Sequence, residues 1–309
     1  MGIFSKKHIQ FLAVGDMVTD VFIDLKDATV NCEIDQTACK LCVNFGQKIP
    51  FESAIEVRAV GNSANAAVSA SRLGLSSGLV ATVGNDQHGK NCIETLKDER
   101  VSTKFVGVDQ EHPTNYHYVL RYGAERTILI KHAPFNYVLP DASTEVDWVY
   151  FSSVGEHALP FHQEIAEWVK SRPYTKLAFQ PGTFQIKVGA EALKDLYAIT
   201  ELFFCNLEEA QIILNTQEKD VQELIRGIHA LGPKKVVITD GPKGLTASDG
   251  VNVYSLPMYP DPKEPVDRTG AGDATSSTIT AMMALGMSFE EAIACGPVNS
   301  MSVVQYIGA

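Results

Sequence analysis

The chain has 309 residues, 45% of them apolar, and a formal net charge of −11. An acidic balance with no offsetting Lys/Arg cluster argues against nucleic acid as a partner, and the excess charge reads as a solvated surface. No apolar run approaches the roughly 20 residues of a membrane span, and residues 1–7 are too short and polar for a signal peptide. A cytoplasmic protein built as one large domain over 1–309 is expected. Its six cysteines should then be free thiols. Cys39-Lys-Leu-Cys42, with Cys32 upstream, has part of a zinc-ligand spacing, but nothing nearby completes a tetrahedral set.

Along the chain, apolar β-rich runs at 11–14, 79–83, 148–151, 177–179, 202–205 and 236–239 alternate with helical patterns. The helical patterns fall at 64–73, 90–99, 161–170, 208–214, 221–230, 272–285 and 289–304. That alternation predicts βαβ units and an α/β fold with a mostly parallel sheet. The first run ends in Gly15-Asp16-Met17-Val18-Thr19-Asp20, and loops at the carboxyl ends of parallel strands are where such sheets bind ligands. Asp16 and Asp20 are therefore candidates for holding hydroxyl groups, each carboxylate being able to accept two. Residues 21–60 are too long for a simple connection and should carry structure of their own. Gly61-Asn62-Ser63-Ala64-Asn65 then opens a helix of small residues.

Residues 116–121 and 126–131 predict a hairpin around Tyr122-Gly123-Ala124-Glu125. With 21–60 it can form a small sheet standing off the main one. Tyr116, Tyr118, Phe135 and Tyr137 can stack on a nucleobase or serve as core. Further on, Asn206-Leu207-Glu208-Glu209 and Thr239-Asp240-Gly241-Pro242-Lys243-Gly244 each follow a buried run. The former also has the form of a helix start.

The most informative string is Asp267-Arg268-Thr269-Gly270-Ala271-Gly272-Asp273, which leads directly into a helical pattern. A glycine-framed turn opening a helix leaves N–H groups unpaired beside the positive end of the peptide dipoles, which suits an anion. The same residues also suit a plain capped helix. The longer string resembles the C-terminal signature of the PfkB (ribokinase-like) carbohydrate and nucleoside kinase family, and the 61–74 segment resembles its N-terminal signature. Asn62 stands where the family usually has a second glycine.

That resemblance spans almost the whole chain. It implies a ribokinase-like fold with a small β-sheet lid drawn from 21–60 and 112–131, which sometimes supplies a homodimer contact. It implies transfer of the ATP γ-phosphoryl group to a hydroxyl of a sugar, with a nucleoside kinase or a non-catalytic binding relative as alternatives. Asp273 would be the base and the Gly270, Ala271 and Gly272 N–H groups the anion hole. Asp20, or Asp16, with Gly61, Asn62 and Asn65, would bind the acceptor. Asn206 and Glu209 would position Mg²⁺, indirectly for Glu209, and Thr239, Gly241 and Gly244 would lie near the phosphates.

In the family, oxygens matching Asp267 and Thr269 hold a monovalent cation such as K⁺. Members usually continue past Gly308-Ala309 with a short segment that adds cation ligands and adenine contacts. A helix N-terminus should lower the Asp273 pKa and keep the group ionised at neutral pH. No Walker-type loop and no protein-kinase motif set is present. A dehydrogenase reading is opposed by the lack of Gly-x-Gly-x-x-Gly after 11–14.

Overall fold

Residues Phe11, Leu12, Ala13 and Val14 are all fully buried, which happens to a strand only when both faces of its sheet are covered. In the computed structural model, which describes residues 8–32, 39–123 and 125–308, they belong to the strand His8–Val14 near the middle of a nine-stranded sheet. The expectations that touch residues 1–7, Ala124 and Ala309 lie outside the described residues.

The spatial order is Val253–Leu256, Leu245–Ser248, Lys235–Thr239, Thr200–Asn206, Lys176–Phe179, Glu145–Phe151, His8–Val14, Ser77–Gly84 and Val106–Asp109. From Lys235–Thr239 onward every neighbouring pair is parallel, and the first two strands are antiparallel additions. Alternate side chains feed two separate apolar clusters. Leu12 and Val14 join Phe151, Phe179 and Phe203 on one face, while Phe11 and Ala13 join Leu79, Leu202 and Ile279 on the other.

The second face is covered by the helices Asn62–Arg72, Gln87–Asp98, Ala271–Ala284 and Phe289–Val303. Ala271–Ala284 buries Ala274, Thr275, Ser276, Ser277 and Thr278 in succession, a pattern of small residues that lets neighbouring helices approach closely. Its buried hydroxyls bond back into the helix: Thr275 Oγ1 to the Ala271 carbonyl at 2.9 Å and Thr280 Oγ1 to the Ser276 carbonyl at 2.8 Å. They bring no unpaired polar atoms into the core.

The first strand does not stop at the main sheet. After Gly15-Asp16-Met17 the chain continues as Val18–Leu25 into a four-stranded sheet ordered Phe51–Val60, Val18–Leu25, Tyr116–Tyr122 and Glu125–Leu129. Between Leu25 and Phe51 lies the hairpin Thr29–Cys32 with Cys39–Cys42. Its register sets Cys32 opposite Cys39, and these two form a disulfide. The expectation of six free thiols is corrected to four among the described residues, Cys42, Cys92, Cys205 and Cys295. Strand pairing, which spacing along the chain does not express, made the difference.

Candidate active site

The candidate residues lie in the crevice beyond the carboxyl ends of the parallel strands, where the helix Ala271–Ala284 begins. Gly270 caps that helix at φ 78°, a left-handed conformation that a side chain would strain. Two cavities flank the helix start. One, of 520 Å³, is lined by Asn206, Thr239, Gly241, Gly244, Ala271 and Gly272, among others. The other, of 270 Å³, is lined by Asp16, Asp20, Gly61, Asn62, Asn65, Thr269 and Asp273, with side chains of the small sheet. Gly270 lines neither and faces a third cavity on the far side of Asn62–Arg72.

Asn65 reaches the site because of a close approach between two segments. Gly61 precedes its helix at φ 108°, where an added Cβ would lie 3.0 Å from the Asp16 carbonyl oxygen. Ser63 Oγ, in the first turn, donates to the Val14 carbonyl at 2.8 Å and fixes the helix start against the end of the first strand. Asn65 Nδ2 then donates to Asp273 Oδ2 at 3.0 Å, so its amide meets the acid itself.

The other Asp273 oxygen is held by a residue that the motifs do not contain. Gln180, just past the strand Lys176–Phe179, donates from Nε2 to Asp273 Oδ1 at 3.1 Å. Its own Oε1 accepts from the Tyr150 hydroxyl and lies 2.7 Å from Ser276 Oγ, which fixes which way the amide points. Burial pushes the Asp273 pKa up, and the two amide donors pull it down without cancelling the rise. The expected downward shift is thereby corrected in direction, desolvation outweighing the two amide donors.

Asn206 and Glu209 form a reciprocal cap. Asn206 Oδ1 accepts from the Glu209 N–H and Glu209 Oε2 from the Asn206 N–H, both at 2.8 Å. Burial also raises the Glu209 pKa, with the Asp273 charge adding to it, which places these two acids within electrical reach of each other. Asp267 accepts from Thr269 N at 2.9 Å, Thr269 Oγ1 at 2.7 Å and Gly308 N at 3.1 Å. Burial works to raise the Asp267 pKa, but these bonds leave it below the ordinary value.

The four aromatic residues do not line the 270 Å³ cavity. Phe135 and Tyr137 are core, the Tyr137 hydroxyl donating to Asp16, and Tyr116 packs edge-on against Tyr118 and His88. Phe184, His117 and His132 line it instead.

Residues 25–309 match the pfkB family carbohydrate kinase. The chain belongs to this family. It is 27% identical to mouse ribokinase over 75% of this chain and 73% of that protein. It is 24% identical to the ATP-dependent 6-phosphofructokinase of Thermoanaerobacterium thermosaccharolyticum, over 99% of this chain and 91% of the relative. Its fold matches that of Arabidopsis thaliana ribokinase, solved with ribose and ATP, at a TM-score of 0.80 and 20% identity over 97% and 94% of the two chains. The fold is ribokinase-like, with the smaller sheet in the place of a lid.

Within this pfkB kinase, Gln180, His117 and His132 were invisible to motif reading because each acts through a partner far away in sequence. Only the strand ends gave a clue, since Gln180 follows an apolar run as Asn206 does. Replacing Gln180 by Met removes one donor to the ionised acid, so the Asp273 pKa should rise above its value in the unaltered protein. A carboxyl ¹³C NMR titration measures this, and an unchanged or lower pKa removes Gln180 from that role.

Proposed function

We propose that this chain transfers the γ-phosphoryl group of ATP to a hydroxyl of a sugar. The observation that carries the reading is the meeting of two cavities at one helix N-terminus, with Ala271 and Gly272 on the larger side and Asp273 on the smaller. Family membership supports a phosphotransferase, and the ribose and ATP held by the Arabidopsis ribokinase support these two substrates.

Phosphoryl transfer has a loose transition state, so the protein chiefly positions the reactants and neutralises charge on the equatorial oxygens. N–H groups of Ala271 and Gly272, which border the larger cavity, serve that purpose at the helix start, and Gly270 shapes the turn that presents them. Asp273, aimed by Asn65 and Gln180, orients the acceptor hydroxyl and takes its proton as the alcohol becomes acidic late in transfer. Thr239, Gly241 and Gly244 border the phosphates.

Glu209 fits Mg²⁺ as an indirect partner: its carboxyl is desolvated, near a second acid, and one oxygen is left over from the helix cap. Mg²⁺ keeps most of its waters and would supply charge neutralisation beside the phosphates. Asp267 and Thr269 put hard oxygens next to the Gly270 turn, and these would hold K⁺ if their own hydrogen bond gave way to it.

Asp273→Asn should lower kcat by at least about 10²–10⁴-fold, the usual range for a general base, while calorimetry shows ATP affinity nearly kept. Near-normal kcat would take Asp273 out of the mechanism. If K⁺ stiffens the turn, rates in K⁺ should exceed those in Na⁺ or tetramethylammonium at equal ionic strength; equal rates in all three eliminate the cation. The small sheet exposes Phe51 and Ile55 on one face and Tyr118 and Leu129 on the other, apolar area that supports a homodimer through the lid. Light scattering should then give twice the chain mass, and a monomer at micromolar concentration refutes it.

A further inference from the structure

The smaller cavity is chemically one-sided. Its ionisable lining residues among those described are Asp16, Asp20, Asp273, His117 and His132, with no Lys or Arg. Both imidazoles are matched to acids. The parallel register of Val18–Leu25 with Tyr116–Tyr122 pairs Asp20 with His117, and His117 Nδ1 sits 3.3 Å from Asp20 Oδ1. His132 Nδ1 lies 2.8 Å from Asp16 Oδ2. Any positive charge on either ring therefore faces a carboxylate before it faces a ligand. Of the arginines near it, Arg58 pairs with Glu56, Arg72 with Glu99 and Arg121 with Asp24, one Arg121 nitrogen being left without a partner, and Arg126, within electrical reach of Asp267, is not among the lining residues.

A second observation is independent of charge. Asp20 Oδ1 and His117 Nε2 are both buried and make no hydrogen bond, the 3.3 Å approach of His117 Nδ1 to Asp20 Oδ1 being an ion-pair distance without hydrogen-bond alignment. Such atoms are costly to leave unmatched, and a site built around them favours a ligand that satisfies them. The remaining wall includes Val18, Phe22, Ile128, Ile130 and Phe184, which suits the C–H face of a ring rather than an anion.

We infer that this cavity takes an uncharged polyhydroxylated acceptor, one hydroxyl of which lies between Asp20 Oδ1 and His117 Nε2, and that it rejects phosphate monoesters. His117 is then a specificity residue that the shared family motifs do not include. The inference rests on the phosphoryl-transfer reading for the identity of the cavity as the acceptor site. It also separates this chain from its 6-phosphofructokinase relative, whose named substrate already carries a phosphate.

Calorimetry on the full chain, with a non-hydrolysable ATP analogue present, tests it. Ribose, fructose and cytidine are compared with ribose 5-phosphate, fructose 6-phosphate and cytidine 5′-monophosphate. At least one uncharged compound should bind, and its monoester should bind at least ~100-fold more weakly, as expected for like charges brought together in a closed site. A monoester that binds as tightly as its parent overturns the inference, as does failure of every uncharged compound to bind.

His117→Leu should raise the KM or Kd of the accepted compound about 10-fold or more with a smaller change in kcat, and His117→Gln, which keeps a donor, should restore much of it. Equal affinity in all three proteins also overturns the inference. ADP release with the same panel reports separately on transfer. Binding of the uncharged compounds without ADP release supports the cavity's specificity and counts against the kinase reaction.

Discussion

A half-buried carboxylate is held in one direction by two amides, and much of the surrounding architecture serves that condition. Asp273 begins a helix whose N-terminal dipole favours negative charge, yet burial pushes its pKa up. The group is tolerable because two amides donate to its two oxygens, one from Asn65 on a helix and one from Gln180 beyond a strand. These side chains come from opposite halves of the chain and meet only when the sheet has formed. The amides also fix the direction of the carboxylate, because Gln180 is itself held by Tyr150 and Ser276.

Close packing of small residues makes that convergence geometrically available. The buried run Ala274 to Thr278 keeps its helix thin, and in Phe289–Val303 a Cβ at Gly296 would lie 3.0 Å from Ile279 and Thr275. A bulkier pair would push the two helices apart and carry Asp273 with them. On the other side, Ser63 and Gly61 bring the start of Asn62–Arg72 against the end of the first strand. The acid, its amide donors and the two cavities are thus fixed by backbone approach, with side-chain chemistry added on top.

Continuity of the first strand into the smaller sheet gives the smaller cavity polar groups of its own. Because Val18–Leu25 prolongs His8–Val14 after a three-residue break, Asp16 and Asp20 sit at the root of the lid-like sheet. Pairing with Tyr116–Tyr122 then puts His117 beside Asp20 and Arg121 beside Asp24. One strand register therefore sets which acid stands beside which base at the foot of this sheet.

By itself, the sequence determined where along the chain the main parallel strands and the helices between them lie, and marked the glycine-framed string before Asp273, because these depend on local periodicity and on turns that only certain residues allow. All six strand runs lie within observed strands, and the 272–285 pattern is shifted by one residue from the helix Ala271–Ala284. Short outer strands such as Val253–Leu256, half exposed and of mixed polarity, gave no apolar run to read. Tertiary structure alone decided that Asp273 is half-buried, that Gln180 donates to it, that Cys32 meets Cys39 and that His117 faces Asp20. Each of these depends on groups distant along the chain, or on the low polarity around them, and neither distance in space nor dielectric surroundings is written in the spacing of residues.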